Sequence, residues 1–421
     1  MNKFFQVITK KMNDQELNQP SLENSKFLDD NCRTTILSCL IVFLAQTATT
    51  IYLPSLPIVM KDLNITKSIV ELSISIFIIG AAAPVLFFGI AADKFGRKVS
   101  IVCALLLFVL CSVLLSFTTT KEGLLLLRFF QGVGAGGSAI IARIIIRDRW
   151  TGDDLARKLS VLSMAFITAL GGGQFVGGLI GKFSSWEFGF GLMALTGIIA
   201  ILLSFNLPMA KKNQSQKNES ILGIYFKIFR RRNFLFPTCV GGLGFAITVI
   251  LQQMSPFLFQ KHFGLSVVTH GNIGLLIGIA YFSGAMIVNR TVSKLGSNRL
   301  LLTGTWIITF STLSVLSLWA AGVLINFNGL IIFIVIYCAT IFGQAVLFPN
   351  SMALAVSSSK SYGAYSVALC GFFQQSIAGV AAVILALGNH EVHIGIAWAV
   401  FIFALSVLAL MLAIQNDRQH S

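Results

Sequence analysis

An all-α membrane protein is the fold class this sequence predicts, with twelve transmembrane helices in two six-helix halves and both termini cytoplasmic. Three observations carry that expectation: a lipid-like composition, a series of long apolar runs, and basic residues confined to alternate connections. Of the 421 residues, 55% are hydrophobic and only 11% charged, with a mean hydropathy of +0.82. A water-facing domain carries about a quarter charged residues, so this chain cannot cover a soluble surface. A cytoplasmic enzyme, a disordered protein and a disulfide scaffold are excluded together. The net charge of +15 would suit a nucleic-acid partner. Most of the basic residues, however, lie in short segments between apolar runs, where membrane topology puts them.

A bilayer core needs about 20 apolar residues per helix. Runs of that kind occupy 34–57, 69–92, 99–117, 123–146, 159–181, 188–207, 235–259, 271–290, 300–322, 329–351, 364–387 and 395–414. Barrel strands would instead alternate over segments of about 10 residues, and these runs do not alternate. If sides alternate from residue 1, one side holds 24 Lys and Arg and the other 5, namely Lys61, Lys67, Lys121, Lys182 and Lys261. Positive charge collects on the cytoplasmic side, so both ends are read as cytoplasmic. The chain then divides into a polar tail (1–33), a six-helix bundle (34–207), a cytoplasmic linker (208–234), a second six-helix bundle (235–414) and a short tail (415–421). Within the linker, "YFKIFRRR" reads either as a basic amphipathic helix on the inner leaflet or as a solvated connection.

The seven cysteines lie in or beside apolar stretches with no CxxC pair, as small hydrophobes do. Pro54 and Pro57 are expected to bend the first span near its outer end. A faint repeat relates "AADKFGRK" (91–98) to "TVSKLGSNR" (291–299), aligning Gly96 with Gly296. Two halves related in this way place a site between them near mid-membrane. In "GIAADKFGRK" (89–98), Gly89 allows close packing, Asp93 sits where a helix meets the cytoplasm, and Gly96 permits a tight turn. Arg97 and Lys98 open the next helix. The stretch reads as a gate held by the Asp93 carboxylate, or as an ordinary polar turn.

No Asp or Glu falls deep within a run; Glu71 and Asp93 lie at the ends of the second. The histidines fall in loops, span margins or the tail. A buried carboxylate or His for proton coupling is therefore not expected mid-membrane, although Asp93 or Glu71 could exchange a proton. Two cations do lie inside the fourth run. A buried cation costs about 2.5–3.5 kcal/mol on insertion scales and so faces a partner or a wet cavity. Arg128 is assigned that place, with Gln46, Thr47, Thr50, backbone carbonyls or an anionic substrate as partners. Arg143 is close enough to the cytoplasm to snorkel. An arginine-lined cavity without a carboxylate favours neutral or anionic cargo. "GVGAGG" (132–137) is read as helix packing rather than a nucleotide loop, since no strand–helix unit surrounds it. "NHEVH" (389–393) is a short outer loop, and neither a metal nor any other cofactor is expected.

The stretch 89–98 resembles the loop signature G-x-x-x-D-[RK]-x-G-R-[RK] of the major facilitator superfamily and matches its fixed positions. "LRFFQGVGAGGSA" (127–139) resembles the span 4 motif of that family. "IYLPSLP" (51–57), "RD" (147–148), "SPFLF" (255–259), "FPNSMALAV" (348–356) and "GAYSVALCGFFQ" (363–374) resemble its Bcr/CflA drug-resistance branch. The similarity covers residues 34–410. It implies secondary transport by alternating access, usually drug or metabolite export by proton antiport, in a bacterial inner membrane. It also implies a central cavity lined by spans 1, 4 and 7, which singles out Gln46, Gln131, Gln252 and Gln253 beside Arg128, Thr50 and Tyr281.

Three departures weaken the proton-antiport expectation. Thr50 stands where such exporters carry an acid. In span 5, "ALGGGQFVGG" keeps Gly173, Gly177 and Gly178 but has Leu170 and Gln174 where prolines are expected. Ser293 replaces the second-half copy of Asp93. The expected partners are a small-molecule substrate, the lipid bilayer and optionally protons, with no nucleic acid and a monomeric chain. The rival readings are a transporter of an anionic or zwitterionic metabolite without a proton carboxylate, and a transport-inactive receptor.

Overall fold

A computed structural model describes residues 19–150, 152–205, 221–325, 327–358, 363–387 and 394–418. The expectations for residues 1–18, for 208–220 and for the "NHEVH" loop lie outside these, as do the side chain of Asp93 and the surroundings of Gly89. The described chain is helical. In its first half run α1 (Gln19–Thr50), α2 (Leu56–Asp62), α3 (Lys67–Ala82), α4 (Pro84–Phe95), α5 (Arg97–Leu115), α6 (Lys121–Arg149), α7 (Gly152–Phe183) and α8 (Glu187–Ser204). In the second run α9 (Ile221–Phe229), α10 (Arg232–Phe257), α11 (Val267–Leu295), α12 (Ser297–Ala320), α13 (Phe327–Ser357), α14 (Gly363–Leu387) and α15 (Ile394–Arg418).

Eleven helical stretches among the described residues are long and apolar enough to cross a bilayer. The second expected run differs because Pro84 interrupts it. Lacking an N–H, Pro84 starts a new helix, and the run is divided into 16-residue α3 and 12-residue α4. Pro54 and Pro57 act as expected. α1 stops at Thr50, a single 3-10 turn spans Leu53–Ser55, and α2 begins beside Pro57. Each proline occupies an opening position, where its missing N–H costs nothing.

Small residues set the helix spacing. On α6, added Cβ atoms at Gly132 and Gly136 would strike the α3 carbonyls of Phe77 and Ala81, while one at Gly134 would come within 2.6 Å of the Phe108 nitrogen on α5. The "GVGAGG" stretch is thus the packing face of a helix, as read from its context. In lipid there is little hydrophobic drive between helices, so this close fit supplies the attraction.

The basic segment after residue 220 forms the short helix α9. It docks Ile224 and Ile228 against Phe234, Ala355, Leu369 and Cys370 of the second half. Phe229 stacks on Phe373 of α14 at 5.1 Å. The helix of the first sequence reading is therefore present, with Ile224 and Ile228 docked on the second half. Its apolar face belongs to the second half, and its basic end leads into α10.

The halves meet along two seams, α7 against α11 and α3 against α14. The first is built of glycine. A Cβ on Gly178 would lie 3.0 Å from the Gly271 Cα, and one on Gly278 would lie 3.0 Å from the Gly171 Cα. Between these two crossings the Gln174 side chain lies over Gly274. The other two span 5 glycines face α1: Gly173 abuts Thr50, and Gly177 abuts the Ile51 carbonyl. Overpacking such a contact costs about 1–3 kcal/mol. Gly178→Leu is expected to lower the melting temperature of the purified protein, whereas Gly172→Ala, where no atom lies within reach, is expected to be neutral. Equal melting of the two variants would show that the seam does not hold the halves together.

Candidate functional site

Buried charge is the first feature to place. Arg128 lies on α6 with 0% of its surface exposed. Its Nη1 donates to the Ala48 carbonyl at 3.0 Å and to the Gln131 Oε1 at 2.7 Å. Gln131 in turn donates to the Ser112 Oγ at 2.8 Å. The guanidinium is boxed by aromatic rings: Phe77 at 4.3 Å, Tyr52 at 5.1 Å and Phe190 at 5.8 Å. Cation–π attraction of this kind is strongest where water is excluded. Nε and Nη2 have no hydrogen-bond acceptor. The expectation that Arg128 lines a wet cavity is therefore corrected for this conformation, because four helices and three rings enclose it. Arg143, further along α6, keeps an exposed side chain.

The other expected cavity residues divide. Thr50 donates to the Ala169 carbonyl of α7 at 2.8 Å and is buried with Gln131, Gln252 and Gln253. Gln46 and Tyr281 are only half-buried. The Tyr281 ring lies 6.3 Å from Phe166 of the opposite half. A second half-buried aromatic pair, Phe245 with Phe348, joins α10 to α13.

The polar contacts that sequence reasoning missed gather at the end of the bundle opposite the start of α1 and the end of α15, hereafter the distal end. There the two halves are latched by polar contacts. Gln253 of α10 donates from Nε2 to the Ser75 Oγ at 2.7 Å and to the Glu71 carbonyl at 3.1 Å. Glu71 has only 4% of its surface exposed, and its carboxylate lies 3.4 Å from the Lys67 Nζ. Lys67 itself sits over the Phe257 ring, across the interface, at 5.1 Å. Gln260 closes the latch from the second half, donating to the Pro54 carbonyl at 2.7 Å while contacting the His270 Nδ1 at 3.2 Å. His270 is wholly buried. Glu71 and His270 are thus not surface residues at span ends. The helices that carry them begin at Lys67 and Val267, two and four residues before the apolar runs, and each residue faces another helix.

At the opposite end, Gly96 adopts φ +90° between α4 and α5, and Gly296 adopts φ +77° between α11 and α12. Only glycine takes these values without strain. Arg97 pairs with Asp148 of α6 at 3.0 Å, and Lys98 donates to the Phe205 carbonyl at 2.6 Å. The loop that the gate reading singled out is therefore tied to the first half by its basic residues.

The class of protein this arrangement defines is a multi-pass helical membrane protein: two halves pack across small-residue seams and are joined by polar latches. The family model of the Major Facilitator Superfamily matches residues 38–383, and the chain belongs to that family. It is 27% identical over 246 residues to "Uncharacterized MFS-type transporter YdgK" of Bacillus subtilis, covering 57% of this chain and 61% of that protein. It is 29% identical over 252 residues to "Multidrug resistance protein MdtL" of Vibrio parahaemolyticus, covering 60% and 63%. The chain thus spans about three-fifths of these relatives' length. The crystal structure of a D-xylose–proton symporter has the same fold, with a TM-score of 0.73 over 90% of this chain and 96% of that one, at 15% identity.

Removing the boxed cation leaves Ala48 and Gln131 acceptors without a donor and opens a void, together about 2–5 kcal/mol. Arg128→Ala is expected to lower thermal stability sharply, and Arg128→Lys to recover part of the loss through the Ala48 bond. Native melting of Arg128→Ala would remove the structural assignment.

Proposed function

We propose that this protein is a twelve-span secondary transporter that exports a small organic solute across a bacterial inner membrane by alternating access, driven by protons entering through the distal latch. α3 and α4 together supply the twelfth span in this reading, and the 24-to-5 asymmetry of basic residues supports cytoplasmic termini with the distal end outside. In this reading residues 34–207 and 235–414 form the two moving bundles. The half-buried Gln46 and Tyr281, with Phe166, Phe245 and Phe348, form the wall of the passage between them. Likeness to MdtL supports export of drug-like solutes, and likeness to the symporter's fold supports rigid-body motion of two halves.

The observation that carries the coupling is the position of Glu71. Its carboxyl lies one turn inside the distal end, on the residue whose backbone carbonyl receives the cross-half bond from Gln253. Opening that end breaks the Gln253–Ser75 bond and exposes Glu71 to the outer medium, where it can take up a proton. Proton uptake there also releases Lys67, its ion-pair partner. Intramembrane carboxylates commonly serve this purpose.

Glu71→Gln keeps the shape and removes the titration. Proteoliposome flux driven by a pH gradient is expected to fall at least tenfold in this variant, while exchange of labelled for unlabelled solute without a gradient continues. Gradient-driven flux at the native rate would overturn the assignment of Glu71. Native flux that persists with the gradient collapsed would favour instead a carrier of anionic or zwitterionic metabolites without proton coupling.

A further inference from the structure

At the distal end a cavity of about 710 Å³ opens between the outer turns of α2, α7 and α11. Its lining includes Lys61, Lys182 and Lys261, with Gly181, Ser266 and Val267. The first two lysines belong to the first half of the chain and the third to the second half. Among the described residues, no Asp or Glu lines the cavity. Asp62, the neighbouring carboxylate, accepts instead from the Trp186 indole at 3.0 Å, and Glu71 is engaged by Lys67. Lys261 reaches the Met60 sulfur at 3.5 Å and lies over the Phe257 ring at 5.8 Å, and has Lys61 and Lys67 within Coulomb range.

This is an unusual place to concentrate cations. Of the five Lys and Arg that fall outside the basic side, three line this one recess. Lys61, Lys182 and Lys261 are all exposed, and their like charges repel across the recess, so the lysines by themselves oppose closure of the two halves. Yet the interface beside them is closed, with Gly178 against Gly271 and Gln260 bonded to Pro54. The cavity also receives the first turn of α11, where Ser266 caps the Thr269 N–H and the preceding N–H groups add to the positive potential. Apolar Ile58, Leu265 and Val268 form the rest of the wall. A compact anion whose charge is shared by three ammonium groups satisfies this arrangement, and lysine suits phosphate as a point-charge partner.

We propose that the cavity binds a phosphate-class anion, bridged between Lys61 and Lys182 on one half and Lys261 on the other, and that the bound anion holds the distal end shut. The shared chemistry is a phosphate or phosphodiester group. It is supplied either by the headgroup of an anionic lipid or by free anion in the outer medium. Because opening the distal end moves Lys261 away from the other two lysines, the anion binds the closed form better and shifts the population toward it.

Full-length protein tests this in two arms. In detergent, inorganic phosphate replaces chloride at constant ionic strength. In nanodiscs, phosphatidylglycerol replaces part of a phosphatidylcholine bilayer. In at least one arm the native melting temperature is expected to rise by a few degrees, as for any ligand selective for the folded state, with slower hydrogen exchange over residues 258–268. The Lys61→Gln/Lys182→Gln/Lys261→Gln variant is expected to lose both effects, and Lys121→Gln, at the distal end but outside the cavity, to keep them. A response confined to phosphatidylglycerol identifies a headgroup site, and one confined to phosphate a soluble-anion site. The proposal is overturned if the native protein shows neither effect in either arm, or if the triple variant responds as the native protein does.

Discussion

Close backbone approach between α7 and α11 is the constraint on which the rest of the arrangement depends. Gly171, Gly178, Gly271 and Gly278 bring two helices from opposite halves to within a bond length or two of steric conflict. No side chain is available at those crossings to adjust the distance. Once that spacing is set, Gln260 can reach Pro54 and Gln253 can reach Ser75, because side chains of their length span only a few ångströms. The same approach brings Lys261 toward Lys61. Attraction at the seam and repulsion at the lysines therefore act on one degree of freedom, the opening of the distal end. A bistable element of this kind is what alternating access requires.

Buried charge is treated in opposite ways at two depths. Arg128 is enclosed within a single half, and its box of Phe77, Tyr52 and Phe190 joins α1, α3, α6 and α8 into one unit. Those contacts do not cross the interface, so movement of one half against the other leaves them intact. Glu71 and Lys67 lie on the interface itself, where Gln253 and Phe257 of the second half touch them. Motion between the halves must change their surroundings. A permanently caged cation is suited to stiffening a moving body, and an acid at the hinge of contact is suited to reporting or driving the motion. The distinction shifts the functional weight from Arg128, which composition alone highlights, to Glu71.

Depth along a helix was legible in the sequence, and facing was not. Apolar runs located the spans, prolines 54 and 57 located the break after α1, and Gly96 and Gly296 located the two turns of positive φ. Charge counting located Arg128 inside a span correctly. It could not reveal that Tyr52, Phe77 and Phe190 surround it, because those rings are scattered among 36 phenylalanines and 6 tyrosines. Glu71 was assigned to a span end because the run was taken to begin at 69. Lys67, counted as a loop residue, is in fact its helical partner four residues earlier. His270 was misplaced in the same manner. Gln253 was singled out for the passage wall, and the structure gives its amide to the opposite half instead.

The two loop copies show how an internal repeat diverges while keeping its geometry. Both turns retain glycine, so both keep the left-handed backbone that redirects the chain into the next helix. The groups that secure them differ. In the first half, Arg97 pairs with Asp148 of α6. In the second, Asn298 donates to Asp417 and accepts from Asn416, both on α15. The first tie joins full charges, each only about one-fifth to one-quarter exposed, and weakens as salt rises. The second joins two amides to the Asp417 carboxylate. The two turns thus share a backbone conformation and differ in the side chains that secure it, so the glycine, and not its polar neighbours, is what the geometry of the repeat demands.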